Sequence, residues 1–145
     1  MEYYKRKHPE YKAQAKQIKW DFCENESVSA SMLPIMQTDI TLALGGRTLI
    51  IDTRYYGQTL QENMGPISIH SPNLYQIHTY VTNEDKYHTG FVDGMLLYAR
   101  TSSDIQPDVQ FKNHDGNIFM VKTLDLSQDF KVIEEQLEKI PYYKI

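Results

Sequence analysis

Two aspartates and an arginine stand in a pattern that can hold a cation. Asp39 opens the run DITLAL, Asp52 lies near the end of RTLIIDTR, and Gly45-Gly46 separates the two runs. Strand-like runs split by two glycines read as a tight hairpin, and a two-residue loop fixes its register. The numbers of opposed residues then sum to 91, so Leu42 faces Leu49, Ile40 faces Ile51 and Asp39 faces Asp52. Directly opposed side chains have β-carbons about 4.5–5.5 Å apart, where like charges repel. A shared proton relieves such a pair. So does a divalent cation, and oxygen-only ligation selects Mg²⁺ or Mn²⁺. Arg54 lies on the same strand face as Asp52 and would oppose Gln37. A plain exposed acidic pair neutralised by Arg54 fits the same spacing. The apolar character of ITLAL and TLII argues instead for central strands, in which a bare acidic pair would be costly.

The elements around this hairpin read as a mixed α/β (α+β) fold. The chain has 145 residues, enough for one domain with a real core. Residues 3–19 read as helical with a break at His8-Pro9, because the residue before proline avoids the helical region. Residues 17–22 read as a short strand and 23–31 as a loop. Ser71-Pro72 looks like an N-cap followed by a first-turn proline. The helix it opens runs to about Val81 and buries Leu74, Ile77 and Val81. GMLLYAR, residues 94–100, reads as a buried strand. Residues 109–112 and 117–124 flank a turn at His114-Asp115-Gly116. Ser127 or Asp129 caps a last helix, with Phe130, Ile133, Leu137 and Ile140 on one face.

Composition excludes several classes. With 41% hydrophobic and 12% aromatic residues, disorder is excluded. No apolar run reaches the length of a membrane span, and MEYYKRKHPEYK has no apolar signal core. Cys23 is the only cysteine, which suits a cytoplasmic protein. There is no phosphate-binding loop of the GxxxxGK[ST] kind and no serine elbow. The net charge of −4 argues weakly against nucleic acid, but it is unevenly spread. Lys5, Arg6, Lys7, Lys12, Lys16 and Lys19 face only Glu2 and Glu10 in the first twenty residues. That segment reads either as a solvated helix face or as a contact for a phosphate backbone. Tyr55 and Tyr56, just after the hairpin, read either as base-stacking or as packing residues.

The stretch MLPIMQTDITLALGGRTLIIDTRYY, with HSPNLYQIHTYV, GMLLYART and LDLSQDF, resembles the C-terminal nuclease domain of the McrC family. McrC is the nuclease subunit of 5-methylcytosine-specific McrBC restriction systems, and its motif is of the PD-(D/E)XK type. The resemblance covers essentially residues 1–145, read as a single nuclease domain from the C-terminal part of a longer protein. It implies a restriction-endonuclease-like core, a mixed central sheet flanked by helices. Asp39 matches the first motif acid, and Asp52-Thr53-Arg54 matches the acid-X-Lys element. Gln76 and Tyr80 match a QxxxY element. The resemblance further implies that Asp39, Asp52 and the Thr53 carbonyl hold Mg²⁺ (or Mn²⁺), and that Asp39, Asp52, Arg54 and Gln76 are the catalytic residues, with Arg54 stabilising phosphate charge and Gln76 positioning the site or contacting DNA. The expected DNA contacts are Lys5, Arg6, Lys7, Tyr55 and Tyr80, and the implied partner is a McrB-like AAA+ GTPase. One departure is Arg54, which stands where the family has lysine and cannot serve as a general base. Another is length, since the region that docks on the GTPase has no counterpart; Glu2 is the only early acid that could complete the site. The alternative reading is a degenerate, non-catalytic DNA-binding or assembly domain.

Overall fold

The computed structural model describes residues 1–23, 30–55, 60–62, 67–102 and 106–143. Helix α1 (Glu2–Lys7) is followed by a short 3-10 turn, Pro9–Tyr11, and by β1 (Gln17–Ile18) and β2 (Met36–Gln37). The hairpin β3 (Ile40–Leu44) and β4 (Arg47–Arg54) comes next, then a small pair, β5 (Leu60–Glu62) and β6 (Ile67–Ile69). Helix α2 (Ser71–Glu84) leads into β7 (Val92–Ala99). The chain closes with β8 (Val109–Lys112), β9 (Ile118–Leu124) and α3 (Phe130–Lys139).

The main sheet has five strands in the order β3-β4-β7-β9-β8. The hairpin register is the predicted one, with Ile40 opposite Ile51, Leu42 opposite Leu49 and Leu44 opposite Arg47. Gly45 turns it at φ +64, a left-handed conformation that costs glycine nothing. β4 and β7 are parallel, as are β7 and β9, while β8 returns antiparallel to β9. A parallel step needs a crossover, and α2 supplies it between β4 and β7.

Alternation along β4 divides the core in two. Leu49 and Ile51 join Leu42, Met95, Leu97 and Met120 in a cluster that includes Tyr4 of α1 and Ile140. Ile50 joins Leu96, Tyr98 and Val121 against Ile77, Tyr80 and Val81 of α2. Both sheet faces are therefore covered, which is why GMLLYAR carries an unbroken apolar run. Among the described residues no helix is long and apolar enough to cross a membrane.

Several sequence expectations need correction. The first helix stops at Lys7, and residues 12–19 are not helical; Gln14 instead bridges Thr41, exchanging bonds of 3.2 and 2.7 Å with it. β3 is an edge strand rather than a central one, and that bridge covers part of its open side. Gln37 pairs with Gln17, not with Arg54, because the chain leaves the hairpin before Asp39. The N-cap of α2 is His70, so proline falls just inside the first turn. The helix buries Asn73, Ile77, Tyr80 and Val81, with Leu74 only half-buried. The last helix is capped by Asp129, whose side chain accepts from the Val132 N–H at 3.2 Å. Of its expected apolar face, Ile140 is buried in the turn that follows and Phe130 stays exposed. Residues 24–29 of the predicted 23–31 loop, and Tyr56, lie outside the described residues.

α2 packs closest on β7 at Gly94. A β-carbon there would meet Ile77 Cγ1 at 2.7 Å and Val81 Cγ2 at 2.8 Å. Those atoms branch close to the helix backbone, so they cannot swing aside freely. Gly94→Ala is expected to lower unfolding stability by about 1–3 kcal/mol, measured as the denaturant midpoint at unchanged slope.

Candidate active site

The even-numbered residues of β4 point toward α2, and the last two are Asp52 and Arg54. Parallel pairing sets Asp52 beside Leu96 and Arg54 beside Tyr98 at the C-terminal end of both strands. Asn73 donates to the Tyr98 hydroxyl at 2.8 Å and ties the first turn of α2 to that end. Gln76 follows one turn along the helix. These placements join four predicted residues, Asp52, Arg54, Gln76 and Tyr80, in one chain of contacts. Arg54 Nε donates to Asp52 Oδ2 at 2.7 Å, and Arg54 Nη2 donates to Gln76 Oε1. Gln76 Nε2 then donates to the Tyr80 hydroxyl at 2.7 Å. Gln76 and Tyr80 can meet because residues four apart share a helix face.

Asp39 reaches the same place by a different route from the one its spacing suggests. The β3–β4 ladder ends at Ile40 opposite Ile51, one pair short of the two acids. Asp39 sits in the bend before β3, and its Oδ2 accepts from the Thr53 N–H at 2.8 Å and from the Thr53 hydroxyl at 2.9 Å. Its carboxylate still lies close enough to Asp52 to act on it. Asp52 is only 4% exposed. Burial, opposed by the Arg54 charge and helped by Asp39, pushes its pKa up to about 6.

The remaining predicted residues are placed as follows. Tyr80 is buried in the layer under α2, so it touches the site through Gln76. Tyr55 is exposed just beyond Arg54. Lys5, Arg6 and Lys7 are exposed on α1, whose Tyr4 belongs to the opposite core layer, away from Asp52 and α2. Lys5 pairs with Glu2 at 3.5 Å and Lys7 with Glu134 at 3.4 Å. The Thr53 hydroxyl is the contact that sequence reasoning missed, which assigned that residue only its carbonyl. A β-branched polar residue between two charged ones was the available signal. Among the described residues no group of three or more His, Cys, Asp or Glu forms a metal-binding cluster, so any cation here rests on the two aspartates and backbone oxygen.

The raised pKa of Asp52 links the site to stability. The folded chain keeps the proton up to about pH 6, whereas the ordinary value is 3.8. Between these values the folded state binds more protons, so stability falls as pH rises through that window. Asp52→Asn is therefore expected to be more stable than the parent above about pH 6, by roughly 2–3 kcal/mol. The gap should close toward about pH 4, read by thermal or chemical denaturation in chelator.

No family model matches the chain. In sequence it is 28% identical over 120 residues to the Type IV methyl-directed restriction enzyme EcoKMcrBC of Escherichia coli (strain K12). That alignment covers 83% of this chain and 34% of the relative, so the chain spans about a third of the relative's length. In fold it is similar to a chain of the half-complex of Thermococcus gammatolerans McrB AAA+ hexamers with bound McrC. The TM-score is 0.58 at 14% identity, over 95% of this chain and 30% of the other. In sequence the chain is thus similar to a McrBC restriction enzyme, and in fold to a chain of a McrB–McrC assembly.

Proposed function

We propose that this domain hydrolyses DNA phosphodiester bonds as the metal-dependent endonuclease part of a McrBC-like, modification-dependent restriction system. The observation that carries this reading is the meeting of Asp39 and Asp52 beside the Arg54–Gln76 contact, in the order the PD-(D/E)XK resemblance requires. The donor set suits a hard divalent ion. Two carboxylates crowd together, and the proton affinity that Asp39 adds to Asp52 is the repulsion a cation cancels. Asp39, Asp52 and the Thr53 carbonyl would hold Mg²⁺ or Mn²⁺. A bound ion would supply a polarised phosphate and an acidified water.

The protein's own groups do the rest. Arg54 stays protonated, so it neutralises phosphate oxygens and does not take the water's proton. Gln76 holds the guanidinium in place and Tyr80 holds Gln76, which spares Arg54 a search through rotamers at the moment of reaction. Recognition of methylated DNA and the licensing of cleavage would belong to a McrB-like AAA+ GTPase partner, in the cytoplasm.

A second reading rests on the same arginine. Arg54 occupies Asp52 Oδ2, an oxygen the metal would use, as it would in a degenerate domain that only binds DNA or assembles. Metal binding separates the two readings. Mg²⁺ or Mn²⁺ should raise the melting temperature of the parent chain and not that of Asp39→Ala or Asp52→Ala. Cleavage of a DNA duplex should fall to background in both variants. Arg54→Ala should slow it by about 10²–10³-fold, the loss expected for one charge-stabilising donor. Cleavage that survives both aspartate substitutions sinks the nuclease reading. A chain that binds no metal at millimolar concentration supports the degenerate one.

A further inference from the structure

A second feature lies two turns along α2 from Gln76. Asn83 is seven residues on, so it shares the helix face of Gln76 about 10 Å away. Beside it opens a cavity of about 530 Å³ lined by Lys16, Lys19, Trp20, Phe22, Asn83 and Lys86, with Asp21 and Glu84 at its wall. Trp20 and Phe22 stack, with ring centroids 5.5 Å apart and planes 12° from parallel. The stack is built, not incidental. Trp20 Nε1 donates to the Pro34 carbonyl at 2.8 Å, and the Asp21 N–H donates to Asn83 Oδ1 at 2.7 Å. One bond ties the pair to the segment before β2, and the other ties it to α2. Trp20 packs on the core under the helix, whereas Phe22 is 61% exposed and so presents most of its ring to solvent.

The charges around the stack differ in how they are engaged. Lys16 pairs with Glu84, and Lys86 lies over the Tyr87 ring at 4.9 Å. Lys19 has no ion pair among the described residues. An anchored aromatic stack with ammonium groups on its rim is the chemistry that binds an unpaired nucleic-acid strand. Every base has a π-face for the ring, and each phosphate meets a cation. Asn83, which holds this segment, lies about 10 Å along α2 from Gln76 and on the same helix face. We propose that this groove holds an unpaired stretch of DNA beside the cleavage site, stacking a base on Phe22 and placing its flanking phosphates on Lys19 and Lys86. The inference rests on DNA being the substrate.

The chain contains a single tryptophan, so Trp20 fluorescence reports this groove directly. Titration of the full chain with oligothymidylate in chelator should quench it. Phe22→Ala should weaken oligonucleotide binding about tenfold, followed by anisotropy of a labelled strand. Phe22 is exposed, so an unchanged melting temperature checks that the variant folds. Lys19→Gln and Lys86→Gln should each lower the slope of log affinity against log salt by about 0.7. No quenching, or equal binding by the parent and Phe22→Ala, overturns the proposal. Should that happen while Asp52→Ala still abolishes metal-dependent cleavage, the groove fails and the nuclease reading stands. Quenching and a Phe22 effect in a chain that binds no Mg²⁺ or Mn²⁺ at millimolar concentration would leave the groove in place and remove the nuclease.

Discussion

The ion pair between Arg47 and Asp93 holds the sheet together at its deepest point. Asp93 is wholly buried at the start of β7. It accepts from Arg47 Nε at 2.8 Å and Nη2 at 2.6 Å, from the Ile118 N–H at 2.8 Å and from the Tyr143 hydroxyl at 2.6 Å. A buried carboxylate is tolerable only when its lone pairs are filled, and here four donors fill them. They come from the start of β4, the start of β9 and the C-terminal segment, so one charge gathers three parts of the chain around β7. Removing any donor would expose the cost of the buried charge, which is why β4, β7 and β9 are held in one register.

The same sheet carries a second buried aspartate near its other end, and the contrast sets that end apart. Asp52 has a single charged donor, Arg54, and a second carboxylate nearby. Satisfaction at Asp93 makes it structural. Burial beside a second carboxylate, with a single charged donor, leaves Asp52 with capacity for a proton or a cation. Perturbed groups of this kind gather where chemistry is done, at the C-terminal ends of parallel strands where a helix crosses over. Arg54, Gln76 and Tyr80 form a relay from the sheet to the helix, so the position of the guanidinium depends on how α2 sits. That position in turn depends on Gly94.

Local order was legible and non-local pairing was not. The Gly45-Gly46 turn and the alternation on either side are contained in sixteen consecutive residues, and the register they imply is the register observed. Gln76 and Tyr80 were placed correctly on one helix face for the same reason. The extent of the first helix was missed because residues 12–19 trade helix for a bridge to Thr41, a partner distant in sequence. The edge position of β3 was invisible because ITLAL is as apolar as a central strand. It buries one face on the core and covers part of its open side with that bridge. The route of Asp39 was hidden too, because strand register extrapolates through a residue that has already turned away. The basic segment 1–20 showed its charge but not its layer. Lys5, Arg6 and Lys7 lie on the far side of the sheet, while Lys16 and Lys19 approach α2.

Asp39 is fastened not to its own strand but to the backbone and hydroxyl of Thr53, the neighbour of Asp52. The two acids therefore ride on one rail. Twisting or bending of the hairpin, whether thermal or imposed from outside, carries both carboxylates together and changes their separation little. The edge strand can then flex without separating the two acids, and mechanical tolerance is built into a pair whose proposed chemistry depends on constant spacing.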